Sequence, residues 1–297
     1  MSPMTGIGRL ALFSALLAVL FAGAAAAGGA IDADPAVEPE PPHADDDRSA
    51  AAADDHAADD DRSAAAGEHA ADDDAAHDVR GLSVAEDGLR LVVAERELPR
   101  GKAAPLSFRV VDERGRTVRD FEREHERRMH LIVARRDLAG FQHLHPRQRA
   151  DGTWKTRVTL PAAGTYRVFA DFTRGGDPHT LAADLHVDGP ATFEPLPPPQ
   201  ATAVSDGGYD VALDREGDEL RFAITRDGQP VRTEPYLGAG GHLVVLREGD
   251  LGFLHVHPTS DREVAFETTL PTPGRYRLFL QFKHAGRVHT VAFTETA

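Results

Sequence analysis

Hydrophobic and polar positions change character along the chain. An apolar run, "LALFSALLAVLFAGAAAAGGA" (10–30), follows Arg9, and residues 31–78 carry few large apolar side chains. From about residue 79, short apolar runs, often alternating with polar residues, are bounded by Gly, Pro, Asp and Arg. Alternation with a period of two sends successive side chains to opposite faces of a strand. On this pattern "LRLVVAER" (89–96), "LSFRVVDERG" (106–115), "HLIVARRD" (130–137), "WKTRVTLP" (154–161), "TYRVFADF" (165–172) and "LAADLHVDG" (181–189) are expected strands. Turn signals recur at intervals near ten residues, and no stretch after residue 80 has a helical period. The expected class is an all-β sandwich.

The pattern is written twice. "MHLIVARRDLAGFQHLHP" (129–146) aligns with "GHLVVLREGDLGFLHVHP" (241–258), and "LPAAGTYRVFADF" (160–172) with "LPTPGRYRLFLQF" (270–282). "DPHTLAA" (177–183) aligns with "RVHTVAF" (287–293). A proline-rich stretch, "GPATFEPLPPPQAT" (189–202), separates the copies and reads as an extended linker. Residues 79–189 and 203–297 are therefore expected to form two tandem Ig-like β-sandwich domains of about 100 residues each, joined by a linker over 190–202. Phe141 with Phe253, Phe169 with Phe279, and Phe172 with Phe282 are matched core positions. Tyr166 and Tyr276 are core or tyrosine-corner residues.

The duplication puts histidines in register. His130 precedes His143 by 13 residues and His145 by 15, and His242 precedes His255 and His257 by the same intervals. His179 and His289 each lie 13 residues beyond the tyrosine of a Gly-x-Tyr turn. His125, His186 and His284 have no counterpart. Two histidines two apart on a strand share a face, so His143 and His145 stand side by side, as do His255 and His257. His130 and His242 begin the preceding strand, and His179 and His289 lie near one end of each sandwich. Converging neutral imidazoles suit Cu(II), Zn(II) or Ni(II). The expected metal ligands are thus His130, His143, His145 and His179 in one copy and His242, His255, His257 and His289 in the other. The alternative is structural: the histidines hydrogen-bond to backbone, pin the sandwich corners or bridge the domains. Asp171 aligns with Gln281, so no carboxylate is shared there, and it is not read as a ligand.

Composition narrows the chemistry. The chain has no cysteine, which excludes disulfides, zinc–thiolate sites and a cysteine nucleophile. Met129 aligns with Gly241, and no other methionine follows residue 4, so a methionine-rich Cu(I) site is excluded and an oxidised, borderline ion preferred. Residues 31–80 hold 17 Asp or Glu against three Arg, a net of −14 out of −15 for the whole chain. No basic patch favours nucleic acid, and the acidic segment repels it. That segment repeats every thirteen residues over 43–78, opening on His43, His56 and His69, and its composition predicts disorder over 28–78. Arg9, the apolar run and the small residues Ala25 and Ala27 read as a secretory signal over 1–27. The remainder is expected outside the cytoplasmic membrane, held to it only through an uncleaved signal.

The layout resembles a group of secreted tandem Ig-like proteins of actinobacteria that carry "MHLIVVRRDL…FQHLHP" and "GHLVALREGDLAYLHVHP" signatures. The corresponding stretches here are "MHLIVARRDLAGFQHLHP" and "GHLVVLREGDLGFLHVHP". The resemblance covers most of residues 79–297 and implies fold and location. More distantly, the architecture and histidines near strand ends are similar to the CopC-like and YtkA-like copper-associated sandwiches of the cell envelope. That likeness implies copper, although the N-terminal histidine of CopC-like sites has no equivalent here. Cupins also place His-x-His on a strand, but the glutamate they need after the pair is absent from "HLHPRQRADG", and "HVHPTSDRE" has only Glu263.

The expected function is a secreted or envelope protein that binds a divalent transition metal, Cu(II) before Zn(II) or Ni(II), with one histidine cluster per domain. A second envelope protein is a further expected partner. The alternative is an extracellular interaction module with structural histidines. An enzyme is not expected: no acid or base is matched between the copies, and no G-x-S-x-G, phosphate loop or H-E-x-x-H occurs.

Overall fold

A computed structural model describes residues 79–297 apart from His255. The signal over 1–27, the acidic repeat over 28–78 and His255 lie outside the described residues. The described chain is all β. The first repeat contains β1 (Val79–Arg80), β2 (Ala85–Glu86), β3 (Leu89–Val93), β4 (Ala103–Asp112), β5 (His130–Arg135), β6 (Gln142–Leu144), β7 (Arg147–Gln148), β8 (Trp154–Thr159), β9 (Gly164–Arg174) and β10 (Asp177–Val187). The second contains β11 (Thr202–Val204), β12 (Asp210–Glu216), β13 (Glu219–Arg226), β14 (Gln229–Pro230), β15 (His242–Arg247), β16 (Phe253–Leu254), β17 (His257–Pro258), β18 (Ala265–Glu267), β19 (Arg275–His284) and β20 (Arg287–Thr296).

Each repeat folds into a two-sheet sandwich. In the first, β2-β3-β4-β8-β7 faces β10-β9-β5-β6. In the second, β11-β12-β13-β18-β17 faces β16-β15-β19-β20, and β1 adds to the edge beside β16. The two tyrosine corners are present: Tyr166 Oη donates to the Ala162 carbonyl at 3.0 Å and Tyr276 Oη to that of Thr272 at 2.8 Å. These closed corners, the paired sheets and the repeat make two tandem Ig-like sandwiches.

The sheets carrying the histidine motifs are apolar on both faces. β5 is buried at every position, as a strand covered on both sides must be. Leu131 and Val133 point into the first sandwich, whereas Ile132 and Ala134 point out of it. The outward set joins Phe169, Ala182, Val244, Leu246, Phe253 and Phe279 in a third apolar core between the domains. Phe141 stacks on Phe279 there, with ring centres 4.1 Å apart. Phe141, Phe253, Phe169 and Phe279 are core residues as expected, but their core lies between the sandwiches, while Phe172, Phe282 and both tyrosines fill the domain interiors.

Two connections reinforce this contact. The Gly81 amide donates to Thr180 of β10, while Val79 and Arg80 pair with Leu254 and Phe253. The N-terminal strand of the first repeat thus belongs to a sheet of the second. A Cβ on Gly81 would approach the Phe169 ring to 2.7 Å, so only glycine permits this passage. The linker is docked as well: Leu196 is buried in the third core, and its carbonyl accepts from Arg275.

Candidate metal centre

The strand registers decide which histidines meet. His143 pairs with Ile132 across β5 and β6, so it shares the face that meets the second domain. His130 begins β5 two residues before Ile132 and points the same way. His242 stands at the equivalent place on β15, opposite Gln281, two residues before Val244. These alternations bring His130, His143, His145 and His242 together at one end of the interdomain core.

His130 is buried at 4 % exposure, and the other three are partly buried. Single ligand nitrogens of His130, His143 and His145 all lie within 4.8 Å of one another. The His242 ring stacks on those of His143 and His130, with centres 4.7 and 5.5 Å away. A small cavity of about 30 Å³ adjoins the group, lined by Glu124, His125, Asp171 and His242 among others.

The hydrogen bonds fix the proton of His143. Gln281 Nε2 donates to Thr290 Oγ1, so its Oε1 accepts from His143 Nδ1 at 2.7 Å. His143 Nε2 then carries a lone pair, and it faces His130 Nδ1 at 2.9 Å. His130 Nε2 lies 3.3 Å from the Glu124 carbonyl oxygen, which can only accept. With its proton on Nε2, His130 turns a second lone pair toward the first. The contact closes through a cation, an added proton, or a shift of the His130 proton to Nδ1 at the loss of the Glu124 bond. His145 Nε2 is buried and has no hydrogen-bond partner, an arrangement that normally costs free energy.

Burial opposes the added proton. It pushes His130 down to about 4, with His145 adding repulsion, and pushes His145 to about 4, with Arg127 adding to it. His143 and His242 are held well below the ordinary imidazole range by burial first and neighbouring histidines second. All four rings are therefore neutral near pH 7, the form in which imidazole ligates metals. Zinc or copper at roughly 2.0–2.1 Å from each nitrogen sets tetrahedral N···N separations near 3.3 Å, so the 2.9 Å pair opens only slightly to admit an ion.

The remaining expected ligands sit elsewhere. His179 pairs with Phe172 and packs on its ring, on the opposite face of the sheet from His130. His289 packs on Phe282 in the same manner. Each also faces an aspartate from the first hairpin of its domain, Asp87 for His179 and Asp206 for His289, at 3.5 Å. These two histidines hold a turn against a sandwich end, the corner role that matched spacing alone left open. His257 is exposed and pairs with Glu267 in the outer sheet of the second domain. Among the described residues one three-histidine group forms, in the first domain.

His125, passed over because it has no counterpart, approaches the group. Its ring lies 6.2 Å from His130 and 5.8 Å from His242. The turn at Glu124–Arg127 positions it, with φ of 44° at His125 itself. Its signal in the sequence was proximity to His130 in "EHERRMH". Asp171, opposite His130, is partly buried, donates nothing to the histidines and accepts from Thr180 Oγ1. Burial pushes its carboxyl up to about 6.

Residues 83–189 and 202–297 each match the family model described as Domain of unknown function (DUF8832). No curated protein matches the chain. Among solved structures the chain is similar to a Salmonella alpha-2-macroglobulin at 14 % identity and a TM-score of 0.27, over 73 % of this chain and 15 % of that one. It is similar to FdeC, an Escherichia coli adhesin, at 14 % identity and 0.27, over 72 % and 66 %. It is also similar to invasin, a bacterial integrin-binding protein, at 15 % identity and 0.22, over 69 % and 39 %. The chain spans less than two thirds of the length of each. Among the described residues no helix is long and apolar enough to cross a membrane.

Proposed function

The chain belongs to the DUF8832 family, with two copies of its domain, and we propose that it is an extracytoplasmic protein that binds a divalent transition metal through His130, His143 and His145. The observation that carries this reading is the pair of nitrogens on His130 and His143 that face each other at 2.9 Å beside an unpartnered, buried His145 Nε2. An ion bound there satisfies all three nitrogens at once. Imidazole-only donors favour copper, zinc and nickel over magnesium or calcium, and the general affinity order puts Cu(II) first. The secretory signal read in residues 1–27 supports a location outside the cytoplasmic membrane. Binding, and not catalysis, is the proposed role.

Titration of the mature chain with Cu(II), Zn(II) and Ni(II) tests this. We expect one tight site per chain, strongest for Cu(II), and loss of that site in His143→Ala. Equal binding by the variant and the parent would overturn the assignment.

A second reading has its own observation. His179 and His289 show that this fold uses histidines structurally, and the four-histidine group could likewise cement the domain contact of an interaction module. In that case the His130 proton sits on Nδ1, a tautomer that nitrogen-15 NMR reads directly. Capture of an envelope protein by the chain would then be unchanged by chelator.

A further inference from the structure

We infer that the ion is shared between the domains, with His242 closing its coordination shell from the second domain and Gln281 orienting His143. This rests on the metal-binding reading above and concerns how the site is regulated. His242 and Gln281 face each other on β15 and β19, both turned toward the first domain. Gln281 is the acceptor that holds the His143 proton on Nδ1 and leaves Nε2 unprotonated, facing His130 Nδ1. The corresponding residue in the first domain is Asp171, which bonds Thr180 and not a histidine. The hydrogen bond needed by a first-domain ligand is thus supplied by the second. A ligating imidazole normally has such a partner on its other nitrogen.

His242 lies over both His130 and His143. It lines the cavity beside them, and its ring, stacked face-on against theirs, must rotate about its side-chain bonds to turn a nitrogen toward the ion. The surrounding surface is already joined by the apolar core between the sandwiches and by the Val79–Gly81 crossing. Occupancy therefore locks one domain to the other, and domain separation releases the ion. The device makes affinity depend on the domain contact, which an isolated first domain lacks.

The test uses the full mature chain loaded with one equivalent of Cu(II), with pulsed paramagnetic resonance counting the bound imidazoles. Four are expected in the parent and three in His242→Ala, whose affinity should fall roughly 100-fold, while Gln281→Ala should lose about 10–100-fold with four imidazoles retained. Hydrogen exchange of the β15 and β19 amides should slow on loading the parent and not on loading His242→Ala. An unchanged imidazole count and affinity in His242→Ala would overturn the shared site while leaving the three-histidine centre standing. Failure of the parent to bind Cu(II) would overturn both. His125→Ala is the control for a neighbouring ring: loss of an imidazole there instead of in His242→Ala would assign the fourth position to His125 and overturn the clamp.

Discussion

The two domains carry nearly the same motif, and its last histidine sits differently in each. In the first, β6 continues through Leu144, which keeps His143 on the inner sheet beside His130. In the second, β15 pairs with β16 in the equivalent register as far as Leu254, and His257 belongs to the outer sheet. The preceding loops differ as well. The turn over Glu124–Arg127 places a carbonyl on His130 and a histidine near it, whereas its counterpart over Tyr236–Ala239 contains Leu237. What the copies retain in common is framework: tyrosine corners, His–Asp contacts at His179 and His289, and a leucine at positive φ in each hairpin, Leu138 and Leu251, buried between the domains. Duplication thus preserved the packing in both copies, while among the described residues three histidines converge in the first alone.

The sharpest way to break this comparison is at the shared core. Phe279→Ala removes the ring stacked on Phe141 and should cost about 3–5 kcal/mol. Denaturant unfolding should then separate into two transitions, one per domain. A single transition with an unchanged midpoint would show that the interface contributes little.

Acid provides a smaller but more diagnostic effect. His130 titrates in the folded protein at about 4, below its unfolded value of about 6.5. The unfolded state therefore binds more protons between these values, and stability falls as pH drops through that window, by at most about 3 kcal/mol for this buried ring. His145 acts in the same direction. Asp171 has the opposite sign: its folded value of about 6 lies above the ordinary aspartate value of about 3.9, so its contribution is lost as pH rises between them. Asp171→Asn, which gives the first domain an amide where the second has Gln281, should raise stability at pH 7 by roughly 1–3 kcal/mol and steepen the acid loss. Thermal melts of parent and variant from pH 7 to 4 check both, and parallel curves would refute the assignment.

The smallest effects should be those shared by both copies. His179→Ala and His289→Ala should each cost about 1 kcal/mol and leave Cu(II) affinity unchanged. A loss of affinity in either would return that histidine to the metal site.

Much of this was legible before any coordinates. The period-two runs, the turn residues and the repeat located the strands to within a few residues, because strand faces and turns are local consequences of side-chain order. "TYRVFADF" extends to Gly164–Arg174 because the pairing with β10 continues past the apolar run. The matched histidines were visible too, and so was the common face of His143 and His145. Nothing local identified the second cover over the apolar run "HLIV" at the start of β5.

Sequence alone determined two sandwiches, the matched tyrosines and the common face of each His-x-His pair, since these follow from backbone geometry and the order of residues. Only the tertiary structure decided which faces meet. Ile132 and Val244 are spaced like any buried strand residues, and their burial against one another depends on the docking of whole sheets. That docking sets His242 against His130 and His143 and gives Gln281 to His143, while strand register within each domain puts His179 and His289 on the other face. Convergence of side chains from distant strands is a property of packing, and a repeat that aligns residue for residue does not specify it.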